Sequence, residues 1–516
     1  MNGAHAVLRT LARGGMEVCF TNPGTSEMHF VAGMDAVPEM RGVLFLFEGG
    51  ATGAADGYGR MAGKPASTLL HLGPGLANGI ANLHNARRAG TPVLNMVGDH
   101  ATHHKVFDAP LESDIDAMAS TVSQWVRRTG RAAQAGPDAA EAIAAAGRTE
   151  DGTGGVATLV LPADVCWSGG GTDAAVPPVA PPRPDPDALE SAAEALRGPG
   201  AVLLLGGDAL RRPGREAASR IAVATGARIL AEPTPARQER GAGIPHLDRL
   251  AYRGETVQTQ LAGARSLVLA GATPPVAFFA YPGRPSDLVP EGCRVLDLGG
   301  RASAVRELAD LVAPHARPVP ARRTVPGMPG GELTAEKAAA VIGALLPEGA
   351  IVSDEAITSG WWLPQATAGA PPHDWLTLTG GAIGQGIPLA TGAAIACPGR
   401  PVISLQADGS AMYTVQALWT QAREGLDVTT VIFSNASYAI LGVELDLLRA
   451  EAGDNRSRTL LDLPRLDFVA LAKGMDVPAT RATTVAEFAD QLRKALAEPG
   501  PCLIEAAVPP PTSFPV

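Results

Sequence analysis

The sequence is short of several things, and each shortage excludes a class of protein. Lysine is rare, with five against 37 arginines in 516 residues. Beside abundant alanine this reads as biased genomic composition rather than an arginine-rich site. Basic charge is not in excess: 42 Lys and Arg face 52 Asp and Glu, for a net charge of −10. No basic excess is available to neutralise a run of phosphates, so nucleic acid is not an expected partner. Five cysteines (Cys19, Cys166, Cys293, Cys397, Cys502) are spread along the chain with no CxxC-type pair. That excludes the common metal and redox motifs and fits mostly buried free thiols in a reducing compartment. Long apolar runs are absent as well. The most apolar stretch, 380–397, is broken by Gln385, Pro388 and five glycines, so no membrane span is expected. The first residues, MNGAHAVLRTLARGG, lack a signal core and read directly as a helix, and a cytoplasmic location is expected. Charged residues make up 18% and hydrophobic ones 46%, which argues against bulk disorder.

What is present is enough chain for about three domains. Two proline-rich stretches, 176–186 and 318–331, read as extended linkers. They leave blocks at 1–175, 187–317 and 332–516. Each block alternates continuous apolar runs with helix-like stretches. The runs are VLFLF (43–47), STLLHL (67–72), PVLNMVG (92–98) and VATLVLP (156–162) in the first block. They are AVLLLGG (201–207), RSLVLAG (265–271) and CRVLDLG (293–299) in the second, and AIVSDE (350–355), PVISLQAD (401–408), VTTVIFSN (428–435) and PCLIEAAV (501–508) in the third. Buried strands separated by helices predict an α/β protein with three doubly wound parallel sheets, whose ligands bind beyond the strand carboxyl ends. A faint internal echo links TLLHLGPGLANGI (68–80) to TLTGGAIGQGIPL (377–389), which suits two related domains sharing one ligand.

The strongest local pattern lies in the third block. One predicted strand ends at Asp408-Gly409-Ser410, before a helix-like stretch over 411–424, and another ends at Asn435-Ala436-Ser437-Tyr438. If the two strands are neighbours, a carboxylate and an amide oxygen meet at one sheet edge, a donor set suited to Mg²⁺, with the Ser437 carbonyl as a third oxygen. Free N–H groups after Gly409 suit a phosphate. The alternative reading is a simple strand-to-helix turn with its cap.

ADGS, 24 residues and then NASY resembles the thiamin-diphosphate motif, GDG followed after about 25 residues by NN, with Ala407 and Ala436 as departures. In the first block FEGGATGAADGYGR (47–60) resembles the glutamate-bearing segment of the 2-oxo acid decarboxylase and acetolactate synthase superfamily. NPGTSE (22–27) resembles its N-terminal active-site loop, and GPGLANG (73–79) its GPG-x-x-N turn. The resemblance covers nearly the whole chain and is weakest in the middle block. It implies a pyrimidine-binding domain, a central domain and a diphosphate domain, with thiamin diphosphate and Mg²⁺ as cofactors. It implies that Glu48 lies beside the aminopyrimidine, partly out of water. Gly24, Thr25 and Asn78 join it on that side. Ile383, in GGAIGQGIP (380–388), is the bulky residue that props the cofactor into a V shape. Thr358, Gly409, Ser410 and Tyr438 lie on the diphosphate side, and Asp408, Asn435 and Ser437 hold the metal.

His71 sits where benzoylformate decarboxylase carries a proton-handling histidine, whereas that enzyme's second active-site histidine falls near Phe278-Phe279 here. The middle block lacks the GMHG-type and RFDDR-type segments of flavin-binding relatives, so FAD is doubtful. His100, His103 and His104 crowd one loop, but without a helical frame or an acidic second layer they read as a surface loop near the cleft, with substrate contact as the alternative, rather than a zinc site. Three functions remain in view. The first is decarboxylation of a 2-oxo acid with carboligation to an acceptor carbonyl, as in acetolactate synthase. The second is plain benzoylformate-type decarboxylation to an aldehyde. The third is a weakly active or inactive paralogue that binds partners. The resemblance also implies a homodimer or homotetramer, with Glu48 and Asp408 of one site on different subunits. The last residues, 508–516, read as an extended tail.

Overall fold

The computed structural model describes residues 1–147, 154–177, 184–299, 302–448, 456–464 and 466–510. Most of the first linker and the end of the tail lie outside this range. The first sheet contains β1 (Val18–Asn22), β2 (Arg41–Leu44), β3 (Ala66–Leu70), β4 (Val93–Asp99), β5 (Trp125–Arg128) and β6 (Val156–Pro162), in the order β2-β1-β3-β4-β6-β5. The middle segment adds β7 (Ala201–Leu205), β8 (Arg228–Ala231), β9 (Gln238–Arg240), β10 (Asp248–Arg249), β11 (Ser266–Ala270) and β12 (Arg294–Asp297). The remaining strands are β13 (Ile351–Glu355), β14 (His373–Thr377), β15 (Val402–Ala407), β16 (Val428–Ser434), β17 (Ala479–Ala482) and β18 (Cys502–Ala507). The second sheet runs β10-β8-β7-β11-β12 and the third β17-β18-β16-β15-β13-β14-β9. Among the described residues all pairings between these strands are parallel but one.

The exception is β9, which leaves the middle segment and pairs antiparallel with β14. Gln238 and Arg240 are buried there, and Arg237 reaches Asp374 at 2.6 Å, so the edge strand is held by polar side chains. That is why no apolar run announced it. The strands not foreseen (β1, β5, β8, β10, β14 and β17) are likewise short or carry polar residues. Two other expectations change. The helix over 411–424 is broken into Asp408–Ala411 and Ala417–Glu424, because the Thr414 hydroxyl leaves the helical path to donate to the Gly384 carbonyl at 2.8 Å. GPGLANG is not a turn but the start of the helix Leu72–Ala89, where Pro74 falls in the first turn and needs no N–H partner. The 318–331 stretch is extended but pinned, with Val319 N–H on the Ser219 hydroxyl and Ala321 N–H on the Ile244 carbonyl.

The first and third sheets share one core. Val43, Phe45 and Leu76 pack in the same cluster as Ile387, Leu418 and Phe468. At its centre the helices Glu48–Ala62 and Gly386–Ala396 cross almost backbone to backbone. A Cβ on Gly57 would fall 2.0 Å from the Leu389 carbonyl oxygen, and one on Gly392 1.8 Å from that of Ala54. Beside this crossing Asp56 and Arg60, both buried, form a two-pronged ion pair at 2.8 and 2.7 Å. Arg60 also donates to the Thr377 carbonyl and the Thr379 hydroxyl, and Thr91 donates to Asp56 at 2.6 Å. A buried pair needs every remaining hydrogen bond made, and here the partners come from both domains. Among the described residues no helix is long and apolar enough to cross a membrane, and the five cysteines are free, with Cys19 and Cys166 buried and the others partly so.

Candidate active site

Parallel neighbours β15 and β16 bring Asp408 and Asn435 to one sheet edge. Asp408 is 1% exposed. Its Oδ2 accepts the N–H groups of Asn435 at 2.9 Å and Ala436 at 2.7 Å, and its Oδ1 accepts that of Gly409 at 2.9 Å. Burial raises its pKa above the ordinary carboxylate value despite those donors. The Asn435 amide oxygen accepts the Ser437 N–H at 3.0 Å. Asp408 Oδ2 is filled by its two N–H donors, but Asp408 Oδ1 and the Asn435 amide oxygen accept one bond each and keep a lone pair, so a carboxylate and an amide oxygen remain able to ligate a hard cation. The Tyr438 ring lies against Gly409, where an added Cβ would come within 2.3 Å of it. Ser410 and Thr358 are buried just past the ends of the neighbouring strands β15 and β13, and the Ser359 hydroxyl is buried with no partner. The donor set and the glycine cradle fit a metal-bound diphosphate.

The segment 380–386, between β14 and the helix Gly386–Ala396, is held by side chains from both domains. From the first domain, His84 Nε2 reaches the Gly380 carbonyl at 3.1 Å and Asn85 bonds both backbone groups of Ala382. Asn82 Nδ2 donates to the carbonyls of Gly49 at 2.8 Å and Gly384 at 3.2 Å. From the third, Glu355 takes the N–H groups of Gly384 and Gly386, one on each oxygen and both at 2.6 Å, and Ser353 donates to the Gly386 carbonyl. Glu355 is 2% exposed, and burial pushes its carboxyl up to about 7. Ile383 sits in the middle of this fixed loop.

In the first domain, Glu48 opens the helix Glu48–Ala62 and is half-buried. Asn78 Nδ2 donates to its Oε2 at 3.0 Å. Gly75, one helical turn before Asn78, brings its Cα side within reach of the same carboxylate: a Cβ there would lie 3.2 Å from Oε1. His71 caps the helix Leu72–Ala89, and its Nδ1 meets Glu27 Oε2 at 2.8 Å. Glu27 is wholly buried and also accepts the Gly24 N–H at 2.8 Å, while its Oε1 has no partner. Desolvation raises its pKa against the pull of His71. The His71 ring lies over Gly24, where a Cβ would be 2.2 Å from it. Thr25 starts the short 3-10 helix Thr25–Glu27.

Three non-glycine residues with left-handed backbone punctuate these turns: Leu72 (φ 50), Ile357 (φ 49) and Ala436 (φ 56). They follow β3, β13 and β16 and adjoin or neighbour His71, Thr358 and Asn435. Such a backbone costs about 1–2 kcal/mol per residue, and strain of this kind collects at functional sites.

The structure thus gathers Gly24, His71, Glu48 and Asn78 in one cluster, and Asp408, Gly409, Asn435, Ser437 and Tyr438 in another. Sequence reasoning missed Glu27, Glu355, Asn82 and Asn85. Glu27 stood three residues after Gly24, the spacing of a capping box, and the structure forms its acidic half there: Glu27 accepts the Gly24 N–H, while Gly24 has no side chain to return the bond. Of the three loop histidines only two meet, His100 and His104, with ring centroids 5.4 Å apart. His100 Nε2 reaches the Pro110 carbonyl, His104 lies tilted against Phe107, and among the described residues no group of three His, Cys, Asp or Glu could hold a metal.

This fold and this pair of turns define a class. Residues 1–120 match the model described as "Thiamine pyrophosphate enzyme, N-terminal TPP binding domain", and residues 358–506 match its C-terminal TPP binding domain counterpart. The chain belongs to the thiamin-diphosphate enzymes related to acetolactate synthase and benzoylformate decarboxylase. It is 60% identical to a Mycobacterium tuberculosis protein named "Putative acetolactate synthase large subunit IlvX", over 99% of each chain. It is 28% identical to benzoylformate decarboxylase of Pseudomonas aeruginosa, over 96% of each. Among solved structures, the Rhodococcus jostii RHA1 thiamine diphosphate-dependent 4-hydroxybenzoylformate decarboxylase superposes with a TM-score of 0.86 at 24% identity, covering 99% of this chain and 100% of that one. That likeness speaks for the fold.

Proposed function

We propose that this thiamin-diphosphate enzyme decarboxylates a 2-oxo acid and passes the product carbon to an acceptor carbonyl, in the manner of acetolactate synthase. The observation that carries the reading is the contact between Asp408 and Asn435, 27 residues apart, at the carboxyl edge of neighbouring strands. Asp408, the Asn435 amide oxygen and the Ser437 carbonyl would hold Mg²⁺ and, with Gly409, Ser410, Thr358 and Tyr438, the diphosphate end of the cofactor. Ile383, on its fixed loop, would set the cofactor's bend. When bound, thiamin diphosphate supplies the electron sink that lets a 2-oxo acid lose CO₂.

The chain's own work is then proton handling and positioning. Glu48 holds a proton at its carboxylate beside the pyrimidine, with Asn78 fixing its orientation. Glu27 fixes the ring of His71 through Nδ1, which leaves Nε2 to exchange a proton with the reacting group. Gly24 and Thr25 shape the loop that closes this side. The 60% identical relative favours carboligation over simple aldehyde release. Turnover of pyruvate, benzoylformate and branched 2-oxo acids, following CO₂ and carbon products together, tests the reading. A new C–C bond is expected, and aldehyde alone would overturn it.

Each site is completed by a second copy of the chain, so that Glu48 and Asp408 come from different subunits. In support, Asn78 on its own domain is the side-chain partner of Glu48, and Tyr413 and Leu441 are exposed beside the Asp408 end. Mixing Glu48→Gln with Asp408→Ala tests this. Random reassortment in a two-fold dimer should restore about a quarter of the wild-type activity, because one site per mixed dimer is intact. No recovery after verified exchange would place both residues in one chain's site.

A further inference from the structure

The chain has only 22 aromatic residues of the Phe, Trp and Tyr types, yet four of them crowd one place. Tyr252, Phe278, Phe279 and Tyr281 line the same cavity, together with Leu288 and, across from them, Glu444. Their rings touch in sequence: Tyr252 to Phe278 at 5.1 Å between centroids, and Phe278 to Phe279 at 4.9 Å. Three of them stay open to solvent, with Tyr252 42%, Phe278 51% and Phe279 54% exposed. Large aromatic surfaces gain by burial, so a wall of three left open in a concave site is a wall that something apolar covers.

Its position says what. The cavity lies where the middle domain meets the helix Ala439–Leu448, the helix that follows the Asn435 turn. The Tyr281 hydroxyl bonds Glu444 of that helix at 2.8 Å and closes one end. At the other end the tip of the Phe278 ring reaches Gly381, where an added Cβ would lie 2.9 Å from Phe278 Cζ. Gly381 is two residues before Ile383 on the loop that Glu355, Asn82 and Asn85 hold rigid. The aromatic wall therefore abuts the loop at the reacting end of the proposed cofactor site. Of the charged groups in the lining, Arg284 pairs with Glu255 and lies over the Tyr281 ring, Glu444 accepts the Tyr281 hydroxyl, and Arg253 makes no ion pair among the described residues. The wall itself is built of rings.

From this juxtaposition we propose that Phe278, backed by Tyr252 and Phe279, determines substrate specificity, and that the 2-oxo acid carries a bulky apolar or aryl side chain that packs on this wall. The inference rests on the 2-oxo acid reading above and names its substrate class. Small 2-oxo acids such as pyruvate leave the rings uncovered and gain nothing from them, whereas a phenyl group adds an aromatic contact on top of the area it buries.

The test is kcat/KM for benzoylformate, phenylpyruvate, a branched 2-oxo acid and pyruvate with wild type, Phe278→Leu, Phe278→Ala and Tyr252→Leu, with thiamin diphosphate affinity measured by fluorescence titration on the same proteins. Wild type should favour the aryl or branched acids over pyruvate by at least tenfold. Phe278→Ala should reduce that preference about tenfold, mainly through KM, with cofactor affinity within a few-fold of wild type. Phe278→Leu, which keeps an apolar contact on Gly381, should reduce it less and guards against a folding failure in the alanine variant. Pyruvate as the preferred substrate, or a preference unmoved by all three substitutions, would overturn the proposal. Absence of turnover with any 2-oxo acid by a cofactor-bound wild type would instead overturn the reading on which it rests.

Discussion

The turn after β3 and the turn after β14 share a sequence echo but not a shape. After β3 a single residue, His71, separates strand from helix. After β14 the chain spends eight residues before its helix begins at Gly386. Each turn is served by a buried glutamate from elsewhere. Glu27 grips a side chain, the His71 ring. Glu355 grips backbone, the N–H groups of Gly384 and Gly386. The short turn can present only a titratable ring and the head of a helix, so it suits proton transfer. The long one is an immobilised strip of main chain with Ile383 at its middle, so it suits holding a bulky cofactor in one shape. Under the proposed function the first unit handles protons and the third holds the cofactor, and what separates them is loop length and the placement of one acid each.

Substitutions can break this comparison at either side. The largest effect is expected at Glu48, where Glu48→Gln should lower kcat by about 10²–10⁴-fold, as read from steady-state turnover with saturating cofactor. Next comes the Glu27–His71 pair. Glu27→Gln and His71→Gln should each lower kcat by about tenfold or more, and the double variant should be little worse than the poorer single one, because the two act as a unit. Additive losses would show that Glu27 does not work through His71.

A smaller and more diagnostic effect concerns Glu355. Burial holds its carboxyl at about 7, above its value in the unfolded chain. The folded protein therefore keeps that proton longer than the unfolded one. Stability should fall as pH rises from about 4.5 to 7, by up to about 3 kcal/mol from this group, and thermal unfolding across that range would record it. Glu355→Gln should flatten this part of the profile while loosening the 384–386 loop. The smallest effect is at Ala436, an exposed residue in left-handed backbone. Ala436→Gly should stabilise the protein by about 1 kcal/mol, visible as a rise in Tm.

The parts of this site that the sequence disclosed were those written locally. Asp408 and Asn435 each end an apolar run, Glu48 opens a helix after one, and His71 sits at a strand end before glycines, so type and position coincide within a few residues. What stayed hidden depends on contacts across the chain. Glu355 looks like any acid at a strand end until Gly384 and Gly386, 29 and 31 residues on, turn their N–H groups toward it. Asn82 and Asn85 read as ordinary helix polar residues, and their partners lie some 300 residues away. The edge strand β9 was hidden for the same reason, since Gln238 and Arg240 are buried by a domain other than the one they follow in sequence. Helix breaks such as that at Thr414 likewise follow from a tertiary hydrogen bond that no local propensity encodes.

The division of labour between the two turns is tested most directly by calorimetric titration of thiamin diphosphate with Mg²⁺ into wild type, His71→Gln and Asp408→Ala. His71→Gln is expected to bind the cofactor within a few-fold of wild type, while Asp408→Ala shows no measurable binding. Cofactor binding lost in His71→Gln, or retained in Asp408→Ala, would contradict that division.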